Sequence, residues 1–197
     1  MTGEEKSLVP LTILSPKKQL AFALLVFRRM LPGLIAFSKD TGFDDSCYLQ
    51  AEEAAWRALQ NGTVDQALKE ACIRSAPDTE KFSHELTSYA LNAALAMSDI
   101  VEFTLDGSSD HIASVSTLAT DSVHLYLSGL EPSVVSSSEE DKRIAAHPLM
   151  QRELRKQRED VRFLACLSDQ FDDQALSALR ARASSQVPLL PVARQSL

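Results

Sequence analysis

The chain has 197 residues and a composition of 45% hydrophobic and 24% charged residues, which excludes a disordered protein and fits one globular domain over 1–197. Its formal net charge at pH 7 is −7. This charge, without a basic stripe to offset it, excludes nucleic acid as an expected partner, because phosphate groups would be repelled.

Proline and glycine divide the first part of the chain into helices. Pro16 stands at the first position of a helix, where its missing N–H removes no hydrogen bond. We expect this helix to end at Met30, before Pro32, and its apolar residues on nearly every face indicate a central position. A short second helix is predicted over 32–41 and a third over 46–61.

Capping residues mark the helices that follow. A fourth helix over about 64–75 stops before Pro77, after which Asp78 supplies the cap of a long helix that reaches Asp106. Further helices are predicted over about 108–129, 138–146, 148–168 and 172–183.

The apolar pattern is helical throughout the chain. No segment shows sustained alternation with a period of two, so strands are not expected. We therefore predict an all-α, single-domain bundle of roughly seven to eight helices, mostly up-and-down. Residues 1–14 are expected to form an N-terminal extension, and 185–197 an extended C-terminal tail that Pro188 and Pro191 keep from being helical.

Two further features bear on the cellular location. The longest strictly apolar run, from Leu20 to Phe27, is far shorter than the roughly 20 residues of a membrane span, so no membrane partner is expected. Cys47, Cys72 and Cys166 are widely spaced and form no C-x-x-C pair, which suits a reducing compartment. We expect a cytoplasmic protein.

The sequence lacks the common catalytic and cofactor-binding templates. It contains no G-x-S-x-G, no G-x-x-x-x-G-K and no G-x-G-x-x-G motif. The histidines are too far apart for an H-x-x-x-H pair, and Asp121 with His124 is predicted on an outer helix face. We predict no metal, no cofactor and no catalytic residue, which favours a protein that is not an enzyme.

Polar residues interrupt the apolar stripe of the helix that begins at Pro148. Glu153 and Gln157 lie one turn apart within this stripe, and Asp160 lies at its edge. On the first helix, Arg29 lies beside apolar residues. An unpaired carboxylate in a core would cost about 3–5 kcal/mol, so these groups either form a buried network that fixes helix register or face a ligand cleft.

Scattered residues of the chain match a known family. They are Arg29-Met30 with Pro32, Phe37, Thr41-Gly42-Phe43 with Asp45, Trp56, the acidic turn after Pro77, and Pro148 followed by Glu153 and Gln157. From about Ser15 to Ala183 the chain resembles the YjaG-like family of bacterial proteins, a domain of unknown function. The resemblance implies a compact all-α bacterial cytosolic protein without an established activity, and it adds Asp45 to the candidate residues.

Two functions remain open on this basis. The first is a non-enzymatic helical interaction module that binds a protein partner or a second copy of itself, since the charge is negative and catalytic motifs are missing. The second is a small-molecule-binding protein or enzyme with a polar cleft around Glu153, Gln157 and Arg29, which would suit an anionic or amide ligand of unknown identity.

Overall fold

The structure is a computed structural model that describes residues 11–130 and 137–191. A short 3₁₀ turn at Leu11–Ile13 precedes eight α-helices, and the described residues contain no strand, which confirms the all-α prediction. The helices are α1 (Pro16–Thr41), α2 (Ser46–Asn61), α3 (Gln66–Arg74), α4 (Thr87–Asp106), α5 (Ser109–Leu130), α6 (Ser137–Ala146), α7 (Pro148–Ala165) and α8 (Asp173–Ser184).

Helix α1 is the central element of the fold. It buries residues on all of its faces and packs against α2, α4, α5, α7 and α8. By length and hydropathy alone α1 could cross a membrane, but 78% of its most apolar window is buried inside the protein. Such burial is what the core helix of a globular protein requires, so the central position predicted from its apolar faces is confirmed.

The predicted break of the first helix before Pro32 is wrong, because α1 continues through this proline to Thr41. Proline cannot donate a hydrogen bond to the carbonyl one turn earlier, which normally disfavours such a position. Here Leu34 and Phe37, both fully buried, hold the second half of the helix in the core. In addition, the Arg29 carbonyl accepts a hydrogen bond from the Leu189 N–H at 2.8 Å.

The predicted start of the long helix near Asp78 is also wrong, because α4 begins at Thr87. The Asp78 side chain accepts a hydrogen bond from the Glu80 N–H at 2.9 Å, an Asx turn that competes with helix formation. Phe82 then packs against Phe37, with 5.2 Å between the centres of the two rings. This contact holds the segment in a turn. The other end of α4, before Gly107, is as predicted, since this glycine adopts a left-handed conformation with φ 72°.

Five helices pack directly on α1, whereas α3 packs on α2 and α4, and α6 packs on α5 and α7. Only Gly107 and Ser108 separate α4 from α5, so these two helices form an antiparallel hairpin. Helix α7 packs across α1 and α5, and α8 packs against α1. The observed bounds of α2, α5, α6, α7 and α8 lie within three residues of the predicted ones.

Both chain ends of the described region pack on the core. Leu11 and Leu14 are buried before α1, and Leu189 and Leu190 are buried after α8. Residues 186–191 are not helical. The parts of the predicted extension and tail at 1–10 and 192–197 lie outside the described residues.

Candidate functional site

Helix α7 presents three polar side chains to the core along one face. The His147 ring caps the helix by accepting the Leu149 N–H at 3.1 Å, and Pro148 occupies its first position. From this start, Glu153, Gln157 and Asp160 fall at i, i+4 and i+7 and share a buried face with apolar residues. Each of the three is at most 1% exposed.

Arg29 of α1 bridges the two carboxylates. Its Nε and Nη2 donate to Glu153 at 2.9 and 2.8 Å, a bidentate pair, and its Nη1 donates to Asp160 at 2.8 Å. Burial alone would lower the pKa of Arg29, but the attraction and hydrogen bonds of Glu153 and Asp160 outweigh it and raise that pKa. Arg29 therefore stays protonated at any pH at which the protein is folded.

Arg182 of α8 adds the second cation. Its Nη2 and Nε donate to the other Asp160 oxygen at 2.8 and 3.2 Å, and its guanidinium lies 4.3 Å from the centre of the Phe163 ring. Two carboxylates thus face two guanidinium groups, and the cluster is neutral.

Gln157 connects the ion pairs to α5. Its amide nitrogen donates to Glu153 at 2.9 Å and to the Ser116 carbonyl at 3.2 Å, while the Ser116 hydroxyl donates to its amide oxygen. We call the cluster the Arg29 network; its members are Arg29, Ser116, Glu153, Gln157, Asp160 and Arg182. It joins α1, α5, α7 and α8.

The Arg29 network closes on itself instead of lining a cleft. Its α7 side chains are shielded from solvent, and the void beside Arg29, Gly33 and Leu189 measures about 10 Å³. A void of that size holds at most about one water molecule. The geometry supports the interpretation as a network that fixes helix register.

Asp45, the fifth candidate residue, lies outside the network. It is half-buried before the first residue of α2, and its carbonyl accepts the N–H groups of Tyr48 and Leu49 at 3.1 and 3.3 Å. Through these bonds the Asp45 carbonyl takes part in the first turn of α2.

Arg182 and Ser116 are the members that the sequence analysis missed. Charge balance could have pointed to Arg182, because two buried carboxylates need two cations and only Arg29 was considered. A small hydroxyl on the buried face of α5 gives no comparable signal, since serine is common on helix faces of every kind.

A second polar cluster lies on the α4–α5 hairpin. Ligand atoms of Asp99, Glu102 and His111 all lie within 4.8 Å of one another, a spacing that could hold a metal ion. These atoms also have protein partners, since Lys69 contacts Glu102 at 3.0 Å and His111 contacts Asp106 at 3.0 Å. Burial would lower the pKa of His111, but hydrogen bonds to Asp106 and Asp99 raise it, which favours the imidazolium form. The absence of a metal or cofactor stays a prediction.

A much larger opening lies on the surface between α2 and α3. This α2–α3 groove has a volume of about 770 Å³ and is open to solvent. Its apolar lining includes Ala54 and Ala58, one turn apart on α2, together with Leu49 and Leu68. Its complete lining is Leu49, Gln50, Glu53, Ala54, Arg57, Ala58, Thr63, Val64, Asp65 and Leu68.

Helix α8 fixes one wall of this groove. Arg180 donates two hydrogen bonds to Glu53 at 2.8 and 2.9 Å and lies 5.4 Å from the Trp56 ring centre. The hydrogen bonds from Arg180 lower the pKa of Glu53, although slight burial opposes this. Trp56 itself is buried, and its indole N–H donates to Glu52 at 3.1 Å. The wall is therefore held in place by α2 and α8 together.

Comparisons with known proteins address the family and the fold. Residues 8–187 match the family described as "Protein of unknown function (DUF416)". A crystal structure of a DUF416 family protein from Shewanella baltica OS155 superposes with a TM-score of 0.77 at 23% sequence identity, covering 93% of this chain and 94% of that one. No curated protein matches the sequence. At this identity the structural likeness concerns the fold alone.

Proposed function

Because the chain belongs to the DUF416 family, whose function is unknown, we propose its function from its own surface: it is a non-enzymatic interaction module that binds an amphipathic helix of a protein partner in the α2–α3 groove. The observation that carries this proposal is a contrast. Arg29, Glu153 and Gln157, the polar groups expected around a cleft, are buried and paired in the Arg29 network, whereas the wide concavity at the surface has aliphatic side chains in its lining.

The shape of the α2–α3 groove favours a helix over a small molecule. Small-molecule sites usually enclose most of the ligand and direct several polar groups at it. Here the groove is open to solvent, and its lining includes the short side chains of Ala54 and Ala58, which leave room for an incoming helix, and the leucines Leu49 and Leu68, which such a helix could contact. Aliphatic anchors at i, i+3 and i+4 of the partner helix would fill this space.

Both acidic side chains in the lining of the groove are occupied by the fold. Glu53 is held by Arg180, and the Asp65 side chain caps α3 by accepting the Ala67 N–H at 2.9 Å. They can still attract opposite charge at a distance. With a net charge of −7, the protein should prefer a partner helix whose polar flank is basic.

A photo-crosslinking experiment with matched positions tests this function. The amino acid p-benzoyl-phenylalanine replaces Leu49 in the groove, 40% exposed, or Leu125 on α5, 44% exposed, in the full chain in living cells. We expect a cross-linked protein partner at position 49 and none at position 125. A further substitution, Ala54→Trp, should fill the groove and abolish the cross-link at 49 while the melting temperature changes little, since Ala54 is only half-buried.

Each other outcome argues against the proposal. Equal labelling at both positions, or labelling that survives Ala54→Trp, would show that the groove is not the binding surface. A product of twice the chain's own mass would identify a second copy as the occupant in place of a different protein. Mass spectrometry of the cross-linked peptide decides whether the captured segment is an amphipathic helix.

We further propose that this is a YjaG-like protein of the bacterial cytoplasm. The residues that carry the resemblance, among them Arg29, Trp56 and Glu153, support the assignment to that branch of the family. Three free cysteines support a reducing compartment. Cell fractionation with an antibody against the native protein tests the location, and recovery in the membrane fraction would contradict it.

A further inference from the structure

Two cysteines meet where the first turn of α2 approaches the last turn of α3. The Cys72 thiol contacts the Cys47 carbonyl oxygen at 3.9 Å, and the two thiols lie close enough for each to change the protonation of the other. The Tyr48 hydroxyl donates to the Cys72 carbonyl at 2.9 Å, which ties the end of α3 to the start of α2. The two thiols are therefore held side by side by both helices.

The two thiols differ in exposure. Cys72 is completely buried, whereas Cys47 is half-buried and accessible to a small reagent. The third cysteine, Cys166, is exposed just after α7, on a different part of the molecule. Cys166 therefore serves as an internal control for the reactivity of the Cys47–Cys72 pair.

The surroundings also set the protonation of the pair. The hydrogen bond from Cys72 lowers the pKa of Cys47 to about 7; burial opposes this, Ser75 adds to it, and the charge of Asp44 opposes it. The same hydrogen bond, together with burial, raises the pKa of Cys72 well above its usual range. The remaining titratable neighbour, Tyr48, has a raised pKa because of burial and stays neutral. Near neutral pH about half of the Cys47 side chains are therefore thiolate, while Cys72 stays a thiol.

We propose that Cys47 and Cys72 form a peroxide-reactive dithiol site, in which hydrogen peroxide oxidises Cys47 and Cys72 then closes a reversible disulfide between α2 and α3. The thiolate is the nucleophilic form of cysteine, and partial exposure lets a molecule as small as hydrogen peroxide reach it. The neighbouring Cys72 is in place to resolve the oxidised product before it reacts further.

The reaction proceeds in two balanced steps. In the first, the Cys47 sulfur forms a bond to one peroxide oxygen, the O–O bond breaks, and the other oxygen takes up a proton and leaves as water, so that Cys47 becomes a sulfenic acid. In the second, the Cys72 sulfur loses its proton and attacks the Cys47 sulfur. The S–O bond breaks, and the departing oxygen leaves as a second water molecule. The two thiols together lose two electrons, which the peroxide gains.

The test measures which cysteines of the full-length protein react. The protein is treated with one equivalent of hydrogen peroxide, remaining thiols are alkylated in denaturant, and peptides are mapped without reduction. We expect one linked peptide pair that joins Cys47 to Cys72, an alkylated Cys166, and full recovery of all three thiols after dithiothreitol. Near neutral pH, Cys47 should react about threefold faster than an ordinary exposed thiol, because its larger thiolate fraction outweighs its lower intrinsic nucleophilicity.

Serine variants make the assignment specific. In Cys72→Ser, Cys47 should end as a sulfenic acid that dimedone traps, and no linked peptide should form. In Cys47→Ser, the buried Cys72 should stay reduced, whereas Cys166→Ser should behave as the wild type. Circular dichroism confirms that each variant is folded, and the wild-type peptide map decides the question on its own if one is not.

Three results would overturn the proposal. The first is oxidation of Cys166 as fast as that of Cys47. The second is a linked peptide that contains Cys166 or joins two molecules. The third is that Cys47 and Cys72 remain reduced after the peroxide is consumed. The rate of Cys47 oxidation is a further check: it should reach half of its plateau near pH 7, as its pKa requires, and a half-maximum nearer pH 9 would contradict the pairing of the two thiols.

Discussion

Glu153 is a central acceptor of the Arg29 network, because it accepts hydrogen bonds from both Arg29 and Gln157. The substitution Glu153→Gln removes the charge that compensates Arg29 without changing the size of the side chain. Breaking a buried pair from one side costs about 3–5 kcal/mol, and we expect a loss of that order in the free energy of unfolding. Urea denaturation of both proteins measures it.

Glu159→Gln is the matched control for this substitution. It lies on the same helix and also has a cationic partner, Lys156 at 2.8 Å, but its side chain is 40% exposed. An exposed pair of this kind contributes at most about 1 kcal/mol, so this variant should unfold close to the wild type. If Glu153→Gln were as stable as Glu159→Gln, or more stable than the wild type, the network would not have the structural role that its geometry indicates, and a ligand site would become the better interpretation.

The α4–α5 hairpin has a pH-dependent contact of its own at His111. This residue lies on α5 and contacts Asp99 of α4 at 3.2 Å and Asp106 at 3.0 Å. Because its pKa is raised in the folded protein, the contact stabilises the fold below the usual histidine pKa of about 6.5. The contribution disappears as the pH rises through the raised value.

The variant His111→Gln isolates this effect. The difference in unfolding free energy between the wild type and the variant should be larger at about pH 6 than at about pH 9. Urea titrations at several pH values measure it, and subtraction of the variant removes the titration of other groups such as Cys47. A difference that stays constant with pH, or grows toward alkaline pH, would contradict the assignment.

The segment after α8 completes α1. The Leu189 N–H donates to the Arg29 carbonyl in the turn that contains Pro32, and the Arg152 guanidinium donates to the carbonyls of Pro188 and Leu189 at 2.8 and 2.6 Å. Deleting the residues after Gln186 removes these bonds and uncovers the apolar surface that Leu189 and Leu190 cover. We expect a clearly lower melting temperature in differential scanning calorimetry.

A deletion after Pro191 is the control for this truncation. It keeps both buried leucines and every hydrogen bond just described. This shorter deletion should melt clearly above the longer one, because it retains these contacts. Equal melting temperatures for the two truncations would show that the bonds to α1 add nothing to stability.

These elements also show how far the sequence could predict the structure. The start of α7 and the end of α4 were predictable, because a proline at N1 and a left-handed glycine act within a few residues. The continuation of α1 through Pro32 was not, since it is accompanied by core packing of Leu34 and Phe37 that local signals do not show. For the same reason Glu153, Gln157 and Arg29 could be recognised as unusual from their own helices, whereas the contact of Gln157 with Ser116 could not.

The described residues of the molecule share one hydrophobic core, which has consequences for unfolding. Trp56 reports on the packing of α2 against α8, whereas far-UV circular dichroism reports on all helices. With the Arg29 network joining four helices, we expect the two signals to change together in a single transition. Tryptophan fluorescence and circular dichroism in the same urea series measure this. Separate midpoints would show that α2 and α8 come apart before the rest.

The Arg29 network also limits how the sequence can change over time. Losing any one of its charges leaves a buried group without compensation, so single substitutions at Arg29, Glu153, Asp160 or Arg182 should be removed by selection. Replacement of the whole set by apolar residues of similar volume can be tolerated, but it requires several simultaneous changes. These positions on α1, α7 and α8 should therefore be retained or lost together among homologues. A lineage that replaces the charged set by an apolar set one residue at a time must pass through less stable intermediate sequences.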